Sequence, residues 1–340
     1  MALDLAKLTC DFGDVYAEAS ACRSDRALFD FSFMARARLS GGNALGALAR
    51  LTPRPLDDLP QGRIRYALRL NSENHVVADL TIWNLGEGCY EVMSGRRVDV
   101  TDLISFCDMA THFEDLSEST IILSVQGPNS LAALADLTDH HKLVAIPYFG
   151  HAYLDLAGIA CLVGRLGYTG ERGFEIVAAH EDGERLWQLL VQRARPAGFA
   201  AADRLRIEAG FPLFANEFRY PVTAEEAGLA RFAVPASMPP RVLLMGFRAA
   251  APTKPVLWQP TGLAALDLTP GHITVTSACY SSVCSCILGL GYVPADTVRV
   301  RTIAYDTSSE FGTVQLEQLP FYDPDKIRPR GPWRNANETG

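Results

Sequence analysis

Apolar and polar residues alternate along residues 27–39, with Phe29, Phe31 and Phe33 at every second position, and this spacing predicts a strand. Asn43 stands where it can cap a helix running to residue 51. Three further alternating runs, 65–70, 76–84 and 89–94, are separated by Asn71-Ser72-Glu73-Asn74 and Gly86-Glu87-Gly88, the pattern of a strand meander. A helix is expected over 98–109, a strand over 121–125 and a helix over 130–137, after Gln126-Gly127-Pro128-Asn129. Strands are expected within 153–165. Residues 181–195 place Leu186, Trp187, Leu190 and Val191 on one helical face, and 201–209 also reads as helix, with Arg206 and Glu208 as a structural pair inside it. Thr223-Ala224-Glu225-Glu226 is a capping box that should open a short helix.

From residue 235 the pattern changes. Residues 235–240 are rich in proline and small side chains and read as a linker. Beyond them short β-type runs, 242–247, 272–275, 287–292 and 298–302, alternate with glycine and proline turns, which suggests a small all-β domain. The boundaries that follow are a body over 1–234, a β domain over 241–326 and an extended tail over 327–340.

Composition narrows the class. The 340 residues suffice for two or three domains, and 48% apolar with 21% charged residues is ordinary for a soluble globular protein. No apolar run is long enough to span a bilayer, and the acidic start lacks the features of a signal or transit peptide, so no membrane association and a cytoplasmic location are expected. A net charge of −8 argues against nucleic acid as a partner. The eight cysteines read as free buried thiols, and Cys284-Ser285-Cys286 lacks the further ligands a metal site needs.

The densest chemical signal is Gly164-Arg165-Leu166-Gly167-Tyr168-Thr169-Gly170-Glu171-Arg172-Gly173-Phe174-Glu175-Ile176. Glycines at this density mark tight turns or a close backbone approach. The following strand sets Glu175 on the face opposite Phe174 and Ile176. A carboxylate fixed there can accept two N–H donors from a flat heterocycle.

This segment resembles the folate-binding signature of the aminomethyltransferase family, the T-protein of the glycine cleavage system and its relatives. Other stretches are similar in the same order: Ala27-Leu28-Phe29-Asp30-Phe31-Ser32-Phe33-Met34, Tyr66-Ala67-Leu68-Arg69-Leu70-Asn71, Val76-Val77-Ala78-Asp79-Leu80, Val125-Gln126-Gly127-Pro128, Leu205-Arg206-Ile207-Glu208-Ala209-Gly210, Asn216-Glu217 and Leu319-Pro320-Phe321-Tyr322. The resemblance implies an α+β, T-protein-like folate-binding body with a C-terminal β-barrel-like domain, and tetrahydrofolate as the cofactor. It implies that Glu175 holds the pterin, that Tyr168, Tyr66 and Met34 line the cleft, and that Asp79 is the catalytic carboxylate, handling charge or a proton at the transferred carbon.

Several positions depart from the family pattern. Ala78 replaces the first of two adjacent acids, Phe33 stands where the glycine cleavage enzyme has histidine, Ala202 replaces an arginine, and Ser94-Gly95-Arg96-Arg97 replaces an Asn-Ala-rich stretch. Changed substrate-side residues beside retained pterin-side residues favour a tetrahydrofolate-dependent methyl or methylene transferase, or demethylase, acting on another small substrate. Two alternatives stay open: the glycine-cleavage aminomethyltransferase itself, with a lipoylated carrier protein as partner, and a fold turned to a non-folate substrate or to binding alone.

Overall fold

The computed structural model describes residues 8–234, 238–250, 265–296, 304–307 and 311–333. The strand expected at 298–302 and part of the linker at 235–240 lie outside them. In chain order the strands are β1 (Ala27–Asp30), β2 (Ala35–Gly41), β3 (Ile64–Leu70), β4 (Val76–Gly86), β5 (Cys89–Ser94), β6 (Thr111–Asp115), β7 (Thr120–Gln126), β8 (His151–Leu156), β9 (Ile159–Gly164), β10 (Gly173–Ala179) and the short β11 (Arg195–Pro196). The C-terminal third adds β12 (Val242–Ala249), β13 (His272–Ser281), β14 (Cys286–Pro294), β15 (Ala304–Thr307) and β16 (Thr313–Glu317). Helices are α1 (Val15–Ser24), α2 (Ala44–Leu51), α3 (Arg97–Leu103), α4 (Ser130–Leu134), α5 (His140–Ala145), α6 (Gly183–Val191), α7 (Phe199–Glu208) and α8 (Ile327–Arg330).

The strands form a 6-stranded sheet ordered β11-β1-β7-β10-β9-β8, a 5-stranded sheet ordered β3-β4-β5-β2-β6, and a closed barrel β12-β14-β13-β15-β16. One face of the 6-stranded sheet buries Leu28, Leu123, Val125, Phe174 and Ile176 under α4, α5 and α6. Full burial of such a side chain contributes about 1.5–3 kcal/mol. Its other face presents Phe29, Ile122, Leu162 and Val177 to α1, α7 and to Trp83 and Met93 of the 5-stranded sheet. The 5-stranded sheet covers its own outer face with α2 and α3, through Ala67, Leu80, Ile82, Val92, Leu48 and Val100. The two sheets therefore turn their inner faces toward each other across this shared core.

The single strand expected at 27–39 is two strands in different sheets, β1 pairing with β7 and β2 with β5. The chain turns between them, where the Met34 amide donates to the Phe31 carbonyl at 3.0 Å. The helix expected to reach residue 109 ends at Phe106 in a 3-10 turn, and the edge strand β6 follows. The capping box forms reciprocally, Thr223 N to Glu226 Oε2 at 2.9 Å and Glu226 N to Thr223 Oγ1 at 3.2 Å. It closes one turn and no helix, since Gly228 takes a left-handed φ of 70°. The first part of the tail expected to be extended over 327–340 instead makes α8 and then lays Trp333 against the core of the 6-stranded sheet, while 334–340 lie outside the described residues.

Helix α1 carried no clear pattern because its buried face is Val15, Ala19, Cys22 and the acid Glu18. Asp14 caps it, accepting from Tyr16 N and Ala17 N at 3.0 Å. Glu18 accepts from Phe12 N at 2.7 Å and Gly198 N at 2.9 Å, tying α1 to the start of α7.

Helix α7 is buried along its length from Ala200 to Glu208, charged residues included. Arg206 and Glu208 do not pair with each other. Arg206 reaches Asp203 at 2.9 Å, Glu217 at 3.0 Å and the Ser277 hydroxyl of β13 at 2.6 Å. Glu217 also accepts from Thr276 and Ser277 of the barrel, each at 2.6 Å, and from Leu213 N at 2.6 Å. Burial alone would lower the Arg206 pKa, but Asp203 and Glu217 outweigh it and hold the pKa above the ordinary arginine value. This network bolts the barrel to the body. Glu217→Ala, which leaves the buried Arg206 guanidinium with Asp203 as its one carboxylate and takes the acceptor from the Thr276 and Ser277 hydroxyls, should cost about 3–5 kcal/mol in denaturant unfolding; a loss below about 1 kcal/mol would show that the network does not hold the barrel in place.

Candidate functional site

Alternation along β4 divides its side chains. Ala78, Leu80 and Ile82 are buried toward α2 and α3, while Asp79 and Thr81 keep some exposure on the other face. In the β3–β4 register Leu68 lies opposite Asp79 and Tyr66 opposite Thr81, so Tyr66 and Asp79 are diagonal neighbours on the cleft face. Burial is the largest influence on Asp79 and lifts its pKa to about 6, opposed by its backbone surroundings and by the Tyr66 hydroxyl. Burial and the Asp79 charge hold the Tyr66 phenol well above its usual value. The Tyr66 ring meets Phe232 edge-on at 4.8 Å.

Tyr168 approaches from the glycine-rich segment, within electrostatic reach of both Tyr66 and Asp79. Its hydroxyl donates to the Pro212 carbonyl at 2.6 Å and its ring stacks on Phe211 at 6.0 Å. Met34 and Phe33, from the turn between β1 and β2, pack against the same apolar cluster as Tyr168. Phe33 stands edge-on to Phe31 at 6.1 Å and Phe199 at 6.3 Å, which makes that wall aromatic.

Glu175 lies on β10 between Phe174 and Ile176, which point into the opposite core. Its cross-strand neighbours are Ser124 and Gly164. It is 7% exposed. Burial alone pushes its pKa up to about 7. Among the described residues it has no hydrogen-bond or ion-pair partner, and this sets it apart. Glu18 takes two backbone amides, Glu91 takes Arg36 and Arg38, Glu171 takes Arg23 and Tyr322, Glu208 takes Arg23 and Ser281, Glu217 takes Arg206 and two hydroxyls, and Glu226 takes Arg241. A buried carboxylate without donors is costly, and it fits a ligand that brings donors of its own.

Within the signature much of the glycine requirement is packing. A side chain at Gly167 or Gly173 would strike Gln126 at 2.0 or 2.5 Å. Gln126 runs through the segment, donating to Ser124 Oγ and the Leu166 carbonyl at 3.0 Å and accepting from Thr169 Oγ1 at 3.2 Å. Gly170 makes the left-handed turn, at φ 80°. Glu171 does not enter the cleft. It pairs with Arg23 at 3.2 Å and receives the Tyr322 hydroxyl at 2.6 Å, joining α1, the signature and the C-terminal segment. Gln126, Arg23 and Glu217 hold the site and were not singled out as site residues in the sequence; Gln126 and Glu217 stood there only within the Val125-Gln126-Gly127-Pro128 and Asn216-Glu217 stretches, and Arg23 carried no signal.

The departures from the family pattern prove mostly structural. Ser94 donates to Asp99 at 2.6 Å, Arg96 donates to the Val77 carbonyl at 2.7 Å, and Arg97 is half-exposed against Asp115 at 2.9 Å. All eight cysteines are free, but only Cys22, Cys161 and Cys279 are buried, which corrects the expectation of buried thiols throughout. No helix among the described residues is long and apolar enough to cross a membrane.

The 6-stranded sheet thus carries a partnerless buried carboxylate and the 5-stranded sheet a second carboxylate lifted toward neutrality. The chain belongs to the aminomethyltransferase family of one-carbon transferases: the profile of the GCVT N-terminal domain matches residues 9–236. It is 30% identical over 332 residues to an aminomethyltransferase of Saccharopolyspora erythraea, covering 90% of this chain and 89% of the relative. An aminomethyltransferase of Cutibacterium acnes is 35% identical over 230 residues, 63% of this chain and 62% of the relative. The solved glycine cleavage system aminomethyltransferase T of Bartonella henselae superposes with a TM-score of 0.75 over 91% of this chain and 90% of the other, at 23% identity, and shares the fold.

The Glu175 pKa is raised, from 4.5 to about 7, so the protein loses stability as pH rises through that interval. Glu175→Gln should therefore stabilise the unliganded protein at pH 8, by on the order of 3 kcal/mol, and leave it nearly unchanged at pH 4. Thermal unfolding at the two pH values measures this; equal shifts at both would mean that Glu175 is not a strained carboxylate.

Proposed function

We propose that the cleft binds tetrahydrofolate and that the protein transfers a methyl or methylene unit to it from a small substrate. The observation that carries the reading is the partnerless Glu175 carboxylate, whose two oxygens suit the paired N–H donors of a pterin. Tyr168, Tyr66 and Met34 supply flat and polarisable surface for the rest of the ligand. Tetrahydrofolate supplies the nitrogen that accepts the one-carbon unit. Asp79 stabilises positive charge developing near the transferred carbon and, with its pKa near 6, can hold or release a proton close to neutral pH. The Tyr66 hydroxyl keeps that carboxylate oriented.

The donor is the finer question. Phe33 against Phe31 and Phe199, with Ala202 in place of an arginine in the same apolar cluster, gives this chain a less charged substrate side, which favours a donor other than an aminomethyl-loaded carrier. The likeness to aminomethyltransferases favours the second reading, a glycine-cleavage aminomethyltransferase working with a lipoylated carrier protein. Ammonia release from the aminomethyl-loaded carrier separates the two.

Calorimetric titration with tetrahydrofolate tests the site. Wild-type affinity should rise as pH increases through about 7, with a proton released on binding below that pH, because only the ionised Glu175 accepts both donors. Glu175→Ala should abolish tight binding. Absence of binding by the wild type would turn the search to another ligand. Asp79→Asn should keep binding within a few-fold and cut turnover by about 100-fold or more; full turnover would remove Asp79 from the chemistry.

A further inference from the structure

The glycine-rich segment has a second surface, facing away from the cleft, and the C-terminal end of the described chain is fastened to it. Trp333 stacks on Phe174 with ring centroids 4.9 Å apart and planes inclined by 18°. The Arg165 guanidinium lies 4.6 Å from the centre of the same indole. Arg165 donates to the Gly331 carbonyl at 2.6 Å and to the Ile146 carbonyl at 3.3 Å. Arg172 donates to the Pro332 carbonyl at 2.6 Å. Both arginines are 7% exposed.

These contacts grip the signature at both ends. Arg165 follows the last residue of β9, and Arg172 precedes the first residue of β10. Between them lie Tyr168 and the turn at Gly170, and two residues beyond Arg172 is Phe174, whose neighbour Glu175 faces the cleft. Among the described residues Arg165 has no carboxylate partner. Burial and the nearby Arg172 hold its pKa below the ordinary arginine value, and its Nε is buried without a hydrogen-bond partner. Its charge is compensated by two carbonyls and one indole face, and residues 331–333 supply one of those carbonyls and the indole. Without them Arg165 must leave its place or stay buried with less than half of its support, and either outcome loosens the turn that carries Tyr168.

We propose that residues 331–333, with Trp333 as the anchor, form a strap that positions Tyr168 and Glu175 from behind β10. Trp333, Arg165 and Arg172 are positioning residues, since none lies on the cleft face. The consequence for ligand affinity rests on the reading that the cleft binds tetrahydrofolate; the mechanical part does not.

The two parts are tested separately. Hydrogen exchange of the unliganded full chain compares wild type with Trp333→Ala and Trp333→Phe. The expected result is a loss of protection of about tenfold or more, confined to residues 164–176 in Trp333→Ala and largely restored in Trp333→Phe. Unchanged exchange over 164–176 would overturn the strap. If Trp333→Ala does not fold, Trp333→Leu, which keeps apolar bulk and removes the ring under Arg165, should show the same local loss, and wild-type exchange from it would equally overturn the proposal. Titration with tetrahydrofolate then reads the consequence: Trp333→Ala should weaken binding about tenfold and Trp333→Phe restore it. Wild-type affinity in Trp333→Ala, with exchange raised, would overturn the positioning role. A wild type that does not bind at all would overturn the folate reading instead and leave the exchange result standing.

Discussion

Arg206 carries its charge in a place that water does not reach, and the carboxylates that neutralise it, Asp203 and Glu217, are as deeply buried as it is. Such a pair tolerates little movement, because separating the charges in a low-dielectric interior is expensive. The elements that contribute to it are thereby fixed relative to one another: α7, the turn after it, and strand β13 through Ser277 and Thr276. The Pro212 carbonyl that receives the Tyr168 hydroxyl lies in that same turn. Geometry in the cleft is set by a charge network outside it.

The treatment of acids within one fold shows where function departs from stability. Glu91 is fully buried and grips Arg36 and Arg38, and Glu171 and Glu208 share Arg23, whose guanidinium also lies 3.9 Å from the Tyr322 ring centre. Those acids keep the layers together. Glu175 is almost as inaccessible and is given nothing, and Asp79 is lifted toward neutrality with one phenol for company. Local cost of this kind is tolerated where the surrounding structure over-determines the position. For Glu175 that surrounding structure is the β-ladder to β7 and β9, with Phe174 and Trp333 behind it.

The glycine-rich segment illustrates how one motif answers two demands. Its glycines suggested a ligand-approaching turn. Gly167 and Gly173 in fact make room for the Gln126 side chain, and Gly170 alone takes the left-handed turn. The acids divide likewise, Glu171 holding Arg23 and Tyr322 while Glu175 faces the cleft. A substitution in this segment can therefore damage the scaffold without touching the ligand surface.

By itself the sequence determined the local features: the meander of β3, β4 and β5, the amphipathic face of α6, the glycine turn, and the alternation that sends Phe174 and Ile176 one way and Glu175 the other. Those follow from side-chain period and turn chemistry, which act over a few residues. The collinear family motifs carried the fold further than periodicity could. Tertiary structure decided what depends on contacts distant in the chain. It split residues 27–39 between two sheets, ended α3 early to free an edge strand, and stopped the Thr223 capping box after one turn. It also made a helix of α1, whose buried face of small residues and one acid carries no amphipathic signal, and folded the segment after Lys326 onto β10, where Phe174 and Arg165 offer an aromatic face and a buried charge in need of acceptors. Burial, and with it the displaced pKa values of Asp79 and Glu175, belongs to the assembled sheets alone, because a carboxylate loses its water only when both walls of the cleft are in place.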